Sequence, residues 1–434
     1  MPDNGNKTHP VRTLTVRNFS VIKEAKLEFG KITVLIGPQA SGKSLLCKLA
    51  YFFQKVVREQ LAEALKIGDA IGGAKMKGEI AFSKWFPNTG IDPGEILLEY
   101  RDGEYVVRVE GLRRKDGFQY YALRLSNGIV QSYESVLESV RQQMAPSGGN
   151  IDPVYYLAIF DELDRLCSSS NSDVYSFIPS TRAFFVTQQK AVLGASSGND
   201  PLTIRFSQDF DFSFPERAPK AGLEHDLTRW IDAESRRILQ GEVLVRDNSE
   251  IFLASDNRKL SLRVLSSGTQ ELLPLITCIR QFIAYSAFAS ERPEVLATLR
   301  RRLFFVEEPE ASIFPFAQND LVRIFARMSH EPLLDASWVI TTHSPYILSA
   351  FNNLIEASQV VTAKPELKDE VAKLIPEQYW VKSENLKAYS IHDGNLESIM
   401  DSETGLISAS YLDSVSETIG VEFDELLRLG YVES

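Results

Sequence analysis

The chain has 434 residues, 44% hydrophobic and 24% charged, an ordinary globular balance, and is long enough for two or three cores or for one large α/β unit with insertions. Its 47 basic and 58 acidic residues leave a net charge of −11, which argues against broad non-specific nucleic-acid affinity and leaves room only for a local basic groove. Cys47, Cys167 and Cys278 lack C-x-x-C spacing and give neither a disulfide frame nor a zinc site. No early apolar segment reads as a signal peptide and no apolar run reaches the roughly 18 residues of a membrane span, so the expectation is a cytoplasmic protein with no membrane partner.

Residues 1–10 are polar. Val11 to Phe19 alternates as a strand does, and Ala25 to Gly30 reads as its partner in an antiparallel hairpin. Ile32-Thr33-Val34-Leu35-Ile36 reads as a buried strand. It leads into Gly37-Pro38-Gln39-Ala40-Ser41-Gly42-Lys43-Ser44, and a helix follows that should continue towards Leu65. This is the full G-x-x-x-x-G-K-[ST] pattern, in which backbone N–H groups cradle phosphates, Lys43 reaches the β and γ phosphates and the Ser44 hydroxyl binds Mg2+. Downstream, Glu95 to Tyr100 and Tyr105 to Val109 form a second hairpin through Asp102-Gly103.

From 111 to 240 the pattern changes. Short helical stretches, such as Ser132 to Met144 and Leu157 to Leu166, alternate with loops rich in Ser, Gly and Asn, as expected of an insertion. Leu223, Leu227, Trp230, Ile231 and Ile238 then follow helical spacing, with Gly241 placed as the C-cap. No sustained heptads predict a long coiled-coil arm. The basic runs Arg113-Arg114-Lys115 and Arg300-Arg301-Arg302 read first as solvated faces and second as nucleic-acid contacts.

Two alternating strands, Glu250 to Ala254 and Lys259 to Leu265, precede Ser266-Ser267-Gly268-Thr269-Gln270-Glu271 at the start of an apolar helix. Hydroxyls and a glycine in that position form either an anion site or an ordinary helix cap. A second buried strand, Leu303 to Val306, runs straight into Glu307-Glu308-Pro309-Glu310-Ala311-Ser312. Adjacent carboxylates at a buried strand end repel unless a cation is close, so the pair predicts an ion such as Mg2+ beside it. A third, Trp338 to Thr342, ends at His343-Ser344-Pro345. An imidazole at such a sheet edge is either a structural residue or a hydrogen-bond partner of a γ-phosphate or an attacking water.

These four motifs in this order resemble the ABC-type ATPases, within the RecF/SMC/OLD-like branch of AAA-family ATPases, over about residues 11–110 and 241–350. The implied fold is an α/β P-loop NTPase, an ABC-type ATPase head with an inserted, mostly helical region. Residues 1–110 would be the first part of the head, 111–240 the insertion, 241–350 the second part and 351–434 a C-terminal region. The resemblance implies ATP and Mg2+ as cofactors. Nucleotide binding falls to Gly37, Pro38, Gln39, Ala40, Ser41, Gly42, Lys43 and Ser44, and to Ser266, Ser267, Gly268 and Gln270 of a signature motif. Metal binding falls to Ser44 and Glu307, and catalysis to Glu308 and His343, with a D-loop at Glu310 to Ser312. It also implies a homodimer or higher homo-oligomer on ATP binding, in which one subunit's signature motif closes over nucleotide held by the other.

The sequence departs from the pattern in places. Glu307 stands where Asp is usual, Gln39-Ala40 replaces Asn-Gly, Ser266 and Thr269 replace the Leu and Gly of transporters, and no Q-loop glutamine is assigned. The stretches Phe177 to Arg182 and Tyr389 to Gly394, and a C-terminal region in which no acidic cluster of a fused TOPRIM nuclease is identified, are loosely similar to ATPase subunits of bacterial antiphage systems such as PARIS or Septu. The expected function is an ATP-driven sensor or scaffold that holds and releases a separate effector protein. A RecF-like DNA-binding ATPase in genome maintenance, with DNA as partner, is the alternative, and the soluble subunit of a transporter a third reading.

Overall fold

One eleven-stranded sheet is built from two different sequence patterns. The structure, a computed structural model, describes residues 11–87, 96–113, 119–144, 174–188, 200–213, 220–246, 249–291 and 302–408. Strands β1 (Thr13–Phe19), β2 (Ile22–Glu28), β3 (Ile32–Ile36), β4 (Leu97–Asp102), β5 (Tyr105–Arg113), β6 (Gln119–Leu125) and β7 (Val174–Ile178) come first. After β8 (Gly241–Arg246), β9 (Ser249–Ala254) and β10 (Lys259–Ser261), which form a small separate sheet, follow β11 (Arg302–Glu307), β12 (Ser337–Thr342), β13 (Leu386–His392) and β14 (Asn395–Ser398). The order across the large sheet is β6-β5-β4-β1-β2-β14-β13-β3-β12-β11-β7.

The alternating strands β1, β2, β4, β5 and β6 pair antiparallel. The apolar runs β3, β11 and β12 pair in parallel with one another and with β13 and β7. Every residue of β3 and β12 is buried, as parallel strands covered on both faces require. Successive side chains divide between two cores. Ile32, Val34, Phe304, Val306, Trp338 and Ile340 enter one, while Leu35, Leu303, Phe305 and Val339 enter the other.

Helices α1 (Lys43–Tyr51), α2 (Val57–Lys66), α3 (Ile71–Trp85) and α4 (Asn127–Met144) pack on the second core, through residues such as Leu46, Leu61, Phe82 and Val140. A π turn at Phe52–Val56 carries α1 into α2, so the helix after Ser44 does continue to Lys66. Helices α5 (Ala183–Gln188), α6 (Pro201–Phe212), α7 (Asp226–Leu239), α8 (Ser267–Ser290), α9 (Pro315–His330) and α10 (Pro345–Ala363) place side chains such as Phe185, Phe206, Ile231, Leu273, Leu321 and Phe351 in the first core, and α11 (Lys368–Leu374) lies beyond α10.

Several expectations change. The division at residue 110 falls inside β5, and β7, from the stretch read as an insertion, joins the parallel block beside β11. Gly241 is not the C-cap of α7. Gln240 takes the left-handed conformation with φ 54°, and Gly241 opens β8, where a Cβ would lie 2.5 Å from the carbonyl oxygen of Leu253. The strand expected to reach Leu265 stops at Ser261, whose side chain caps a 3-10 turn over Leu262–Val264. Arg302 is not on a solvated face: it donates to Ser176 Oγ at 2.9 Å and lies over the Phe282 ring. Helix α8 is long and apolar enough by length and composition to cross a membrane, but it contains Arg280 and 78% of its most apolar window is buried inside the protein. The helix expected over Leu157 to Leu166, Cys167 and residues Arg114, Lys115, Arg300 and Arg301 lie outside the described residues.

Candidate active site

Parallel register brings the motifs to one edge. Ile36 at the end of β3 pairs with Thr342 of β12, Glu307 of β11 pairs with Thr341, and Ile178 of β7 pairs with Val306. The carboxyl ends of four neighbouring strands therefore lie together at one edge of the sheet, the usual ligand position in such sheets.

The phosphate loop joins β3 to α1. Its backbone approaches so closely that a Cβ on Gly37 would meet the Ile391 carbonyl oxygen at 2.6 Å, and one on Gly42, at φ 105°, would meet Ile22 Cδ1 at 2.4 Å. Ala40 takes φ 59°, the left-handed region, at the position where the sequence departs from the common glycine. Lys43 is buried and its Nζ donates to the carbonyl oxygens of Gly37 and Pro38, both at 2.8 Å. Burial lowers its pKa, while Glu308 and Glu310 act in the opposite sense. Ser41 Oγ is a buried hydroxyl without a hydrogen-bond partner.

Glu307 is 8% exposed. Its Oε2 accepts from the Ser180 N–H at 3.1 Å, and the Ser44 hydroxyl hydrogen-bonds the same carboxylate. Desolvation pushes this carboxyl above its ordinary range despite those bonds, and the neighbouring Glu308 adds to the rise. A hydroxyl and a buried carboxylate side by side are hard oxygen donors, and they fit a divalent ion that shares its remaining positions with phosphate and water. The unpaired Ser41 hydroxyl fits an oxyanion in the loop.

Glu308 is one residue beyond the strand, with φ 44°. Its N–H donates to the Thr341 carbonyl oxygen at 2.8 Å, and its side chain, 35% exposed, lies with Oε1 3.5 Å from His343 Nε2. The next acid, Glu310, accepts from the His343 N–H at 2.5 Å and from the Thr342 side chain; burial raises its carboxyl. His343 thus stands at the same edge as the acidic pair, held through its backbone by the residue that begins the expected D-loop.

The Ser266 to Gln270 motif is placed differently. Ser266 is the N-cap of α8, with Oγ accepting from the Thr269 N–H at 3.3 Å, and the Gln270 amide turns back to the Leu265 carbonyl oxygen at 3.0 Å. Both open readings of this motif therefore retain something: it is a helix cap, and the exposed Ser267 lies at a helix N-terminus. Among the described residues no hydrogen bond joins it to the phosphate loop. It packs instead against the end of the acidic segment, where a Cβ on Gly268 would meet the Ser312 carbonyl oxygen at 2.7 Å.

The functional reading of the sequence missed two residues after β7. One is Ser180, whose N–H holds Glu307. The other is Arg182, fully buried, which donates from Nη1 to the Glu307 carbonyl oxygen at 2.6 Å, from Nη2 to the Glu308 carbonyl oxygen at 2.8 Å and from Nε to the Glu271 carbonyl oxygen at 2.8 Å. Part of the positive charge that the acidic pair demands is built into the chain. In the sequence the stretch Phe177 to Arg182 carries only a loose family resemblance, which gives neither residue a role.

Residues 161–349 match the family model described as "AAA domain, putative AbiEii toxin, Type IV TA system". The matched span holds Arg182, Ser266 to Gln270, the acidic segment and His343, and the phosphate loop precedes it. No curated protein matches the chain. Among solved structures, the SMC head domain from Thermotoga maritima is similar at 12% identity and TM-score 0.36, covering 90% of this chain and 98% of its own. An SMC head domain with an extended coiled coil, bound to the C-terminal domain of ScpA derived from Pyrococcus furiosus, is similar at 11% identity and TM-score 0.35, covering 94% and 99%. The recombination mediator protein RecF is similar at 11% identity and TM-score 0.33, covering 90% and 98%.

Proposed function

We propose that this protein binds ATP and hydrolyses it to ADP and phosphate, and that nucleotide-driven pairing of two copies controls a separate effector in bacterial antiphage defence. The observation that carries the chemistry is the meeting of Ser44 with Glu307, and of Glu308 with His343, at the mouth of the phosphate loop. The toxin–antitoxin wording of the matching family supports the effector part.

In this reading the loop N–H groups and Lys43 exchange the internal bonds of Lys43 for contacts with the β and γ phosphates. Ser44 and Glu307 would hold Mg2+, which when bound supplies neutralisation of phosphate charge. Glu308 orients a water for in-line attack and receives its proton. The new bond joins the water oxygen to the γ-phosphorus, and the bond to the bridging oxygen of ADP breaks. His343 donates a hydrogen bond to the γ-phosphate or the water. Ser267 and Gly268 of the partner subunit present the N-terminus of α8 to the same phosphate and complete the site.

Glu308→Gln should slow hydrolysis while keeping nucleotide bound, and so hold the paired state. Purified with ATP and Mg2+, this variant should elute as two copies carrying a stoichiometric effector, whereas wild type without nucleotide should not. A variant that stays monomeric under ATP contradicts the pairing, and one that brings DNA and no protein points to the genome-maintenance alternative.

A further inference from the structure

Arg182 has no role in the chemistry above, yet it is buried completely at the junction of the two halves of the site. Its planar guanidinium spends its donors on four backbone carbonyls: Pro179 at 3.2 Å and Glu307 at 2.6 Å from Nη1, Glu308 at 2.8 Å from Nη2, and Glu271 at 2.8 Å from Nε. The Glu271 carboxylate adds an ion pair at 3.3 Å. Glu271 is in the first turns of α8, one residue after the Ser266 to Gln270 motif. Glu308 at φ 44° adopts a backbone conformation that a residue other than glycine holds only when its surroundings enforce it.

We propose that Arg182 is a positioning residue that ties the start of helix α8 to the backbone of Glu308, so that engagement of the signature motif sets the orientation of the catalytic carboxylate. This rests on the ATPase reading. Several features favour the assignment over a simple structural clip. The bonds run to two parts of the proposed site at once, the helix start that would receive a second copy's nucleotide and the strand end that would activate water. They fall on consecutive carbonyls, Glu307 and Glu308, so a small rotation of the guanidinium turns the peptide that aims the Glu308 side chain. Arg182 also faces the charges of Glu271, Glu310, Glu308 and Glu307, which makes it the electrostatic centre of the acidic segment. A lysine could keep the charge but has no rigid fork with which to span these acceptors.

The test is steady-state ATP hydrolysis by the full chain, with nucleotide binding and thermal melting measured in parallel, for wild type, Arg182→Lys, Glu271→Gln and the Lys43→Ala control. Misplacing a reacting group by about an ångström costs on the order of 100-fold, so Arg182→Lys should lower kcat by about 10- to 100-fold with KM and nucleotide affinity within about twofold of wild type. Glu271→Gln, which keeps the backbone acceptor and loses only the ion pair, should lower kcat by about fivefold, again without a change in affinity. An unchanged kcat in Arg182→Lys, or a loss explained by weaker nucleotide binding, overturns the proposal. If Arg182→Lys does not fold, Glu271→Gln decides alone by the same criteria. Wild type no faster than Lys43→Ala removes the ATPase reading and this proposal with it, whereas active wild type with unaffected variants removes the proposal alone.

Discussion

His343 Nε2 lies 3.5 Å from Glu308 Oε1, with both side chains about one-third exposed. The two residues directly follow different strands, β12 and β11, and meet because the parallel register sets the strand ends level. A general base typically contributes about 100- to 10,000-fold. Glu308→Gln should therefore lower the turnover rate by at least about 100-fold with nucleotide affinity retained. His343→Ala should lower it by about 10- to 100-fold, the scale of one lost electrostatic stabiliser. Phosphate release and equilibrium nucleotide binding, measured on the same preparations, check both.

The same glutamate should weaken the fold. Its φ of 44° costs a non-glycine residue about 1 kcal/mol, and Glu307 and Glu310 add like charges nearby. Asparagine tolerates the left-handed region, so Glu308→Asn should raise the nucleotide-free melting temperature while abolishing hydrolysis. A fall in melting temperature would contradict this account of the backbone.

Two neighbouring loop positions should respond in opposite ways. Ala40→Gly relieves a left-handed alanine, worth about 1 kcal/mol before the entropy of glycine in the unfolded chain is subtracted, and should leave nucleotide binding intact. Gly42→Ala places a Cβ at φ 105° and 2.4 Å from Ile22 Cδ1, and should cost about 1–3 kcal/mol while weakening nucleotide binding. Chemical unfolding and nucleotide titration of the two variants provide the comparison.

Glu310 gives a pH dependence. Burial raises its carboxyl above the ordinary value of 4.5, so the folded state holds this proton more tightly than the unfolded one. Its stabilising contribution is full below the ordinary value and is lost as pH rises through the folded value. Glu310→Gln preserves an acceptor for the His343 N–H and removes the titration. Relative to wild type, the nucleotide-free variant should become progressively more stable as pH rises above about 4.5, until the shift is complete. Melting curves across that range should show the gap widening with pH, and a constant gap would contradict it.

The sheet core was legible because β3, β11 and β12 are mostly apolar stretches that lead into chemically distinctive residues, and a phosphate loop is a local pattern that survives any context. The hairpins before and after it were legible from alternation. Strand β7 was hidden: five residues, Val174 to Ile178, follow a serine-rich stretch and gain their identity only by pairing with β11. Arg182 was hidden for a related reason. A lone arginine carries no periodicity, and its importance comes from four carbonyls contributed by three separate segments. Gly241 was misread because a glycine after a helical pattern signals a cap, while here close approach to Leu253 in the next strand pair demands it.

The central claim is tested most directly by steady-state phosphate release from purified wild-type chain and Lys43→Ala, each with ATP and Mg2+ and at concentrations spanning the monomer–dimer range. The account predicts release that rises more than linearly with wild-type concentration and falls by at least about 100-fold in Lys43→Ala. Equal rates for the two proteins would contradict it.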